Sequence, residues 1–122
     1  MSMFEHTAAG WRHRVFVAYV LFMLLLFLVP VPASPLDEAT HLDKAVHFSL
    51  FLVFALLWHL DSARSASRTL LASVAFAGVI EVLQGLLPYR DSNVWDLAAG
   101  AAGGLVGAAV VLWSTRQHRP AT

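Results

Sequence analysis

The sequence predicts an all-α fold, a polytopic membrane bundle of four helices with the N and C termini both cytoplasmic. Three observations predict it. The 122 residues are 58% hydrophobic and only 13% charged, with a mean hydropathy of +0.66. That leaves too few polar residues to cover a soluble domain this small. The apolar residues gather into four stretches near the length that crosses a bilayer, about 17–25 residues. The arginines fall on alternate connections, so four crossings bring them to one side.

The first stretch, Val15 to Val29, follows Arg12 and Arg14 and runs into Pro30, Pro32 and Pro35. With its flanks it predicts a spanning helix over residues 14–31. Arg12, Arg14, the apolar run and Val31-Pro32-Ala33 also resemble a signal peptide with a small-residue cleavage site. Cleavage there would leave three helices in the same orientation. A signal peptide's apolar core is usually about 7–15 residues, and this run sits at or beyond that limit, which favours a retained helix. The second stretch, Ala45 to Leu60, predicts a helix over 43–60. A Ser/Arg-rich turn from Ser62 to Arg68 leads to the third, Leu70 to Leu87, predicted as 68–87. A turn from Pro88 to Asn93 leads to the fourth, Val94 to Trp113, predicted as 94–114. Connections this short leave room only for a single membrane domain over residues 1–122.

Charge sets the expected orientation. Arg12, Arg14, Arg64, Arg68, Arg116 and Arg119 fall on one side of a four-crossing chain. Lys44 and Arg90 remain for the other, beside Asp37, Glu38, Asp43, Asp91 and Asp96. This is the positive-inside pattern of an inner-membrane protein. Trp11, Trp58 and Trp113 would mark the inner interface, and Trp95 with Tyr89 the outer. The net charge of +0 gives no reason to expect a nucleic-acid partner; the bilayer is the expected one. The absence of cysteine excludes disulfides, thiolate metal sites and thiol nucleophiles.

Ionisable residues in spanning helices are costly, so each is a functional candidate. Asp43, Lys44 and His47 open the second helix, with Asp43 and His47 on one face at i, i+4. Glu81 and Gln84 share a face late in the third. Glu81 lies seven residues before Pro88, about 10 Å along a helix, too deep for a short carboxylate to reach water. It should turn inward and find a partner. Arg90 and Asp96 follow. In the four-crossing arrangement all seven lie toward the outer face. Each has a structural alternative. Thr40-His41-Leu42-Asp43 matches a capping box. Asn93 and Asp96 would suit the start of the fourth helix. His47 would serve as a satisfied interior histidine, Lys44 and Arg90 as interface snorkellers, and Gln84 as a helix-to-helix hydrogen bonder. Gly100/Gly104 and Gly103/Gly107 have GxxxG spacing, which suits close packing within the bundle or a helix partner outside it. His6, His13, His59 and His118 scatter on the cytoplasmic side and suggest no site.

Asp43-Lys44-x-x-His47, Glu81-x-x-Gln84, Pro88-x-Arg90, Ser92, Asp96 and a Gly-rich last helix together resemble the VanZ-like membrane proteins. The resemblance covers residues 43–107. It implies a small bacterial multi-pass envelope protein, in a family whose founding member is associated with resistance to the glycopeptide teicoplanin. It carries over Asp43, Lys44, His47, Glu81, Gln84, Arg90 and Asp96 as the functional set. One departure stands out. The family usually has an asparagine four residues after the last aspartate, where this chain has Gly100.

The expected function is an outward-facing polar pocket that binds or modifies a lipid headgroup, a lipid-linked cell-wall precursor or an anionic amphiphile. Lys44 and Arg90 would hold phosphate or carboxylate, with His47 or Glu81 as acid or base if chemistry occurs. The alternative is a non-catalytic structural or partner-binding protein whose polar residues fix helix packing. A proton path would need charges at several depths, and the inner halves offer only Ser49, Ser73 and Tyr19. His47, Asp43, Glu81 and Asp96 are suitable metal ligands, but Lys44 and Arg90 would compete with a cation. No metal is therefore expected, and no cofactor is indicated.

Overall fold

A computed structural model describes residues 3–30, 41–62 and 65–121, with side chains from residue 10 onward. Among the described residues four helices make up the bundle: α1 (Met3–Leu28), α2 (Leu42–Ser62), α3 (Ala66–Leu86) and α4 (Val94–Gln117). Among the described residues there is no strand. All four helices are long and apolar enough to cross a membrane. Helix α1 begins well before residue 14, because the polar residues ahead of the apolar run continue the same helix. Its spanning part is Gly10–Leu28. It stops at Leu28 rather than residue 31 because proline at position 30 has no N–H to donate and disfavours helix in the residue before it. The prolines at 32 and 35, the cleavage-like Val31-Pro32-Ala33, Thr40 of the capping box, and Asp37, Glu38 and Arg64 lie outside the described residues.

Ser65 accepts from the Arg68 N–H at the start of α3, and the Asn93 side chain accepts from the Trp95 N–H at 2.9 Å at the start of α4. Both supply an acceptor to a helix end whose first N–H groups have no partner within the helix. At the start of α2 the backbone of His41 is left-handed, with φ 52°, and its carbonyl accepts from Lys44 and Ala45 N–H.

The buried apolar core is drawn from α1, α2 and α3: Met23, Phe27, Phe51, Phe54, Ala77 and Ile80. Helices α2 and α4 pack most extensively, α3 lies against α4, and α1 leans mainly on α2. The glycines of α4 permit this closeness. A Cβ on Gly103 would overlap the Phe48 carbonyl of α2, and one on Gly107 would stand 2.5 Å from Ala55 Cβ. A Cβ on Gly104 would overlap the Ser73 side chain of α3. The small-residue face is thus packed inside the chain, the first of the two readings its spacing allows.

Below the polar end runs an aromatic column: Phe27, Phe51, Phe54 and Phe76, with Phe16 and Trp58 against it. Trp58 stacks on Phe54 at 6.0 Å and packs, partly buried, against this core. Trp11, Trp95 and Trp113 are exposed, as interfacial anchors are. The buried hydroxyls of Thr69 and Ser73 donate to carbonyls four residues back, Ser65 and Thr69, so they add no unsatisfied group to the apolar interior.

Candidate functional site

Glu81 and His47 are brought together at the ends of their helices. Glu81 is buried in α3, as its depth requires. Its Oε2 accepts from the Asn93 backbone N–H at 3.0 Å, which ties α3 to the start of α4. Its Oε1 faces His47 Nε2 at 3.5 Å. On the other side of the imidazole, Nδ1 lies 2.9 Å from the Asp43 carbonyl, one turn earlier in α2. A carbonyl can only accept, so Nδ1 carries the proton, and in a neutral ring Nε2 is left with its lone pair toward Glu81. Phe27 of α1 lies against the ring at 4.5 Å.

Asp96 is in the first turn of α4 but is not that helix's cap; Asn93 has that role. Its carboxylate turns inward and is buried. Lys44 Nζ lies 3.6 Å from Asp96 Oδ1 and 3.2 Å from Asp43 Oδ2, bridging the two carboxylates. His47, Glu81 and Asp96 form a compact trio, each offering one ligand atom within 4.8 Å of the others. Asp43 Oδ1, His47 Nε2, Glu81 Oε1 and Asp96 Oδ1 are buried and make no hydrogen bond to any described residue.

Gln84 and Arg90 are placed differently. Gln84 Nε2 donates to the Phe27 carbonyl at 3.0 Å. Arg90 donates to the carbonyls of Leu26 and Val29 at 3.2 and 2.7 Å. Tyr89, which the sequence marks only as an outer-interface aromatic, donates to the Leu28 carbonyl at 2.8 Å. The Val29 N–H closes on the Leu25 carbonyl. The last carbonyls of α1, which no helix can satisfy internally, are therefore held by α3 and the turn after it. Asn93 was also missed as a partner of Glu81. Its bond uses a backbone N–H, which every residue but proline has, so no residue type announces it.

Two clefts flank the trio. One, of about 180 Å³, is lined by Asp43, His47 and Arg90, with Leu26, Leu42 and Val46 at its rim. The other, of about 370 Å³, lies between α3 and α4 and is lined by Glu81, Ser92 and Asn93, with Val82 and Val94 outside. The five apolar residues at these rims are exposed.

The model of the VanZ/LLP1 family matches residues 8–115, nearly the whole chain. The chain belongs to the VanZ/LLP1 family. With four helices able to span, it is a multi-pass membrane protein of that family. No curated protein and no solved structure shows a significant match. At Gly100, where the resemblance leads to the expectation of an asparagine, a Cβ would stand 2.9 Å from the Phe51 ring and 3.3 Å from Ala77 Cβ, so the Phe51 ring occupies the space that a larger side chain would need.

Proposed function

We propose that this VanZ-family protein is a single-domain envelope protein of the bacterial inner membrane, with both termini cytoplasmic. Its polar cluster receives, at the outer face, the headgroup of a lipid, a lipid-linked cell-wall precursor or another anionic amphiphile. Binding there affects glycopeptide tolerance, a role consistent with the family name. One observation carries the reading: four buried polar atoms make no hydrogen bond, three of them held only by ion pairs of 3.5–3.6 Å, beside clefts that polar and exposed apolar side chains line together. Networks kept only for packing satisfy their members, because an unpaired buried group costs about 1–3 kcal/mol. A lining both polar and apolar suits a molecule with a polar head and an apolar tail. Lys44 is engaged by Asp43 and Asp96 and Arg90 Nη2 by the Leu26 and Val29 carbonyls, so the anionic end falls to the remaining N–H groups of the Arg90 guanidinium. Its Nε is buried without a hydrogen bond to a described residue. His47 or Glu81 would act as acid or base if the ligand is turned over.

The structural reading is favoured by a separate observation, the bonds by which Gln84, Tyr89 and Arg90 hold α1. Teicoplanin susceptibility separates the two. A sensitive bacterium would express wild type, Glu81→Gln or His47→Ala at equal membrane levels. Protection by wild type alone supports a working site, and equal protection by all three makes the cluster scaffolding. Protection by none means the family phenotype does not transfer to this chain. Because the chain has no cysteine, Asp91→Cys and Thr115→Cys test orientation directly. An impermeant thiol reagent should label the first in intact cells and not the second.

A further inference from the structure

We infer that His47, Glu81 and Asp96 form a binding site for a divalent transition-metal ion. The inference rests on reading the cluster as a ligand site, though not on which headgroup it takes. The residues come from three helices, α2, α3 and α4, and converge where no single helix face would place them. All three are more than nine-tenths buried, at 6%, 5% and 8% exposure. Each has a buried atom without a hydrogen bond, Nε2, Oε1 and Oδ1; Nε2 and Oε1 face each other at 3.5 Å, and Oδ1 faces Lys44 at 3.6 Å.

Their chemistry matches a cation. The bond from Nδ1 to the Asp43 carbonyl fixes the imidazole tautomer and leaves the Nε2 lone pair free, the arrangement by which metal-bound histidines are oriented. In the neutral ring that lone pair faces a carboxylate oxygen, acceptor against acceptor, a pair that either a second proton on His47 or a metal cation between the two atoms would satisfy. The His47 Nε2 to Glu81 Oε1 distance is 3.5 Å. Ligand atoms at zinc-like bond lengths of about 2.0–2.2 Å stand about 3.4 Å apart around a tetrahedral ion. Asp96 offers a third ligand atom within 4.8 Å of the other two, and three protein ligands would leave a tetrahedral ion one position for an outside ligand.

Charge counts the same way. Asp43, Glu81 and Asp96 set three carboxylates against the Lys44 ammonium, a surplus of two negative charges when His47 is neutral, with Glu81 and Asp96 buried and Asp43 and Lys44 part-exposed. A dication cancels that surplus. Competition from Arg90 is the argument against a metal that the sequence suggests, and it weakens here, because the guanidinium donates to α1 carbonyls. Lys44 remains, held by Asp43 as well as Asp96. One imidazole with two carboxylates suits zinc, manganese or cobalt better than magnesium or calcium, which prefer all-oxygen sites. An ion with an open position would hold a phosphate or carboxylate directly.

The test uses the full chain in detergent, stripped with chelator and titrated with Zn²⁺ alone. About one ion per chain is expected. Glu81→Gln and Asp96→Asn, checked for monodispersity, should weaken binding by more than about tenfold, the scale on which even outer-sphere partners act. Co²⁺ loaded into the wild type should give the absorption of a low-coordinate site, and a bound Mn²⁺ should show one imidazole nitrogen by pulsed electron resonance. These two readouts need no variant. Absence of stoichiometric binding overturns the inference. So does binding that both variants retain, which would place the ion on exposed histidines. Metal binding without teicoplanin protection would sink the proposed function and leave the metal site standing. Protection lost in Glu81→Gln in a protein that binds no metal would do the reverse.

Discussion

Replacing Gly103 and Gly78 by alanine, one at a time, should move stability in opposite directions. At Gly103 the new Cβ would overlap the Phe48 carbonyl oxygen and stand 3.0 Å from its carbon and 3.1 Å from the Leu52 nitrogen. Ordinary contact begins near 3.4 Å. The obstructing atoms are backbone and have no rotamer to change, so α2 and α4 must part by several tenths of an ångström. Overpacking of this kind costs about 1–3 kcal/mol, and a rigid backbone contact belongs at the upper end. Removing a helical glycine returns about 1 kcal/mol, leaving a net loss of about 2 kcal/mol. A Cβ on Gly78 meets nothing within 4 Å, so Gly78→Ala should gain up to about 1 kcal/mol. Unfolding of the purified protein in mixed micelles, followed by circular dichroism, measures both. Equal shifts in the two variants would refute the close α2–α4 approach. Phe48 adjoins His47, so the Gly103 wedge should also loosen the polar cluster.

Two further outcomes follow from the hydrogen bonds. Glu81→Ala removes the acceptor of the Asn93 N–H and should cost about 1–3 kcal/mol. Glu81→Gln keeps an acceptor for that N–H and offers a donor to His47 Nε2. In chelator-treated protein it should be at least as stable as wild type, since a buried charge is removed. A Glu81→Gln protein as unstable as Glu81→Ala would show that the carboxylate charge itself holds the fold. Arg90→Ala should cost a more modest 0.5–1.5 kcal/mol, roughly one net hydrogen bond, and raise amide hydrogen exchange in the last turn of α1 while α3 and α4 keep their protection. A uniform rise across all helices would contradict a local role in holding α1.

The polar residues near the helix ends were legible because a carboxylate such as Glu81 is too costly at that depth without a partner. The i, i+4 spacing placed Asp43 and His47 on one face, and Asp96 could be assigned to the first turn of the last helix. What those side chains touch was not legible. Gln84 and Arg90 read like members of the same set as Glu81, yet their donors go to α1 carbonyls. Sequence spacing orders residues along one helix and says nothing about which neighbour lies across from it. The glycines show the same limit, since GxxxG spacing is the same whether the facing helix belongs to this chain or to another.

The sequence by itself determined the helical membrane fold, because composition and segment length are properties of the chain alone, and backbone groups in lipid must bond within their own helix. It also determined where the charges would be expensive. Only the tertiary structure decided which of them meet. The contact between His47, Glu81 and Asp96 depends on the rotation and approach of three helices, and those are set by the glycine-thin contact between α2 and α4 and by the Asn93 N–H that fixes Glu81.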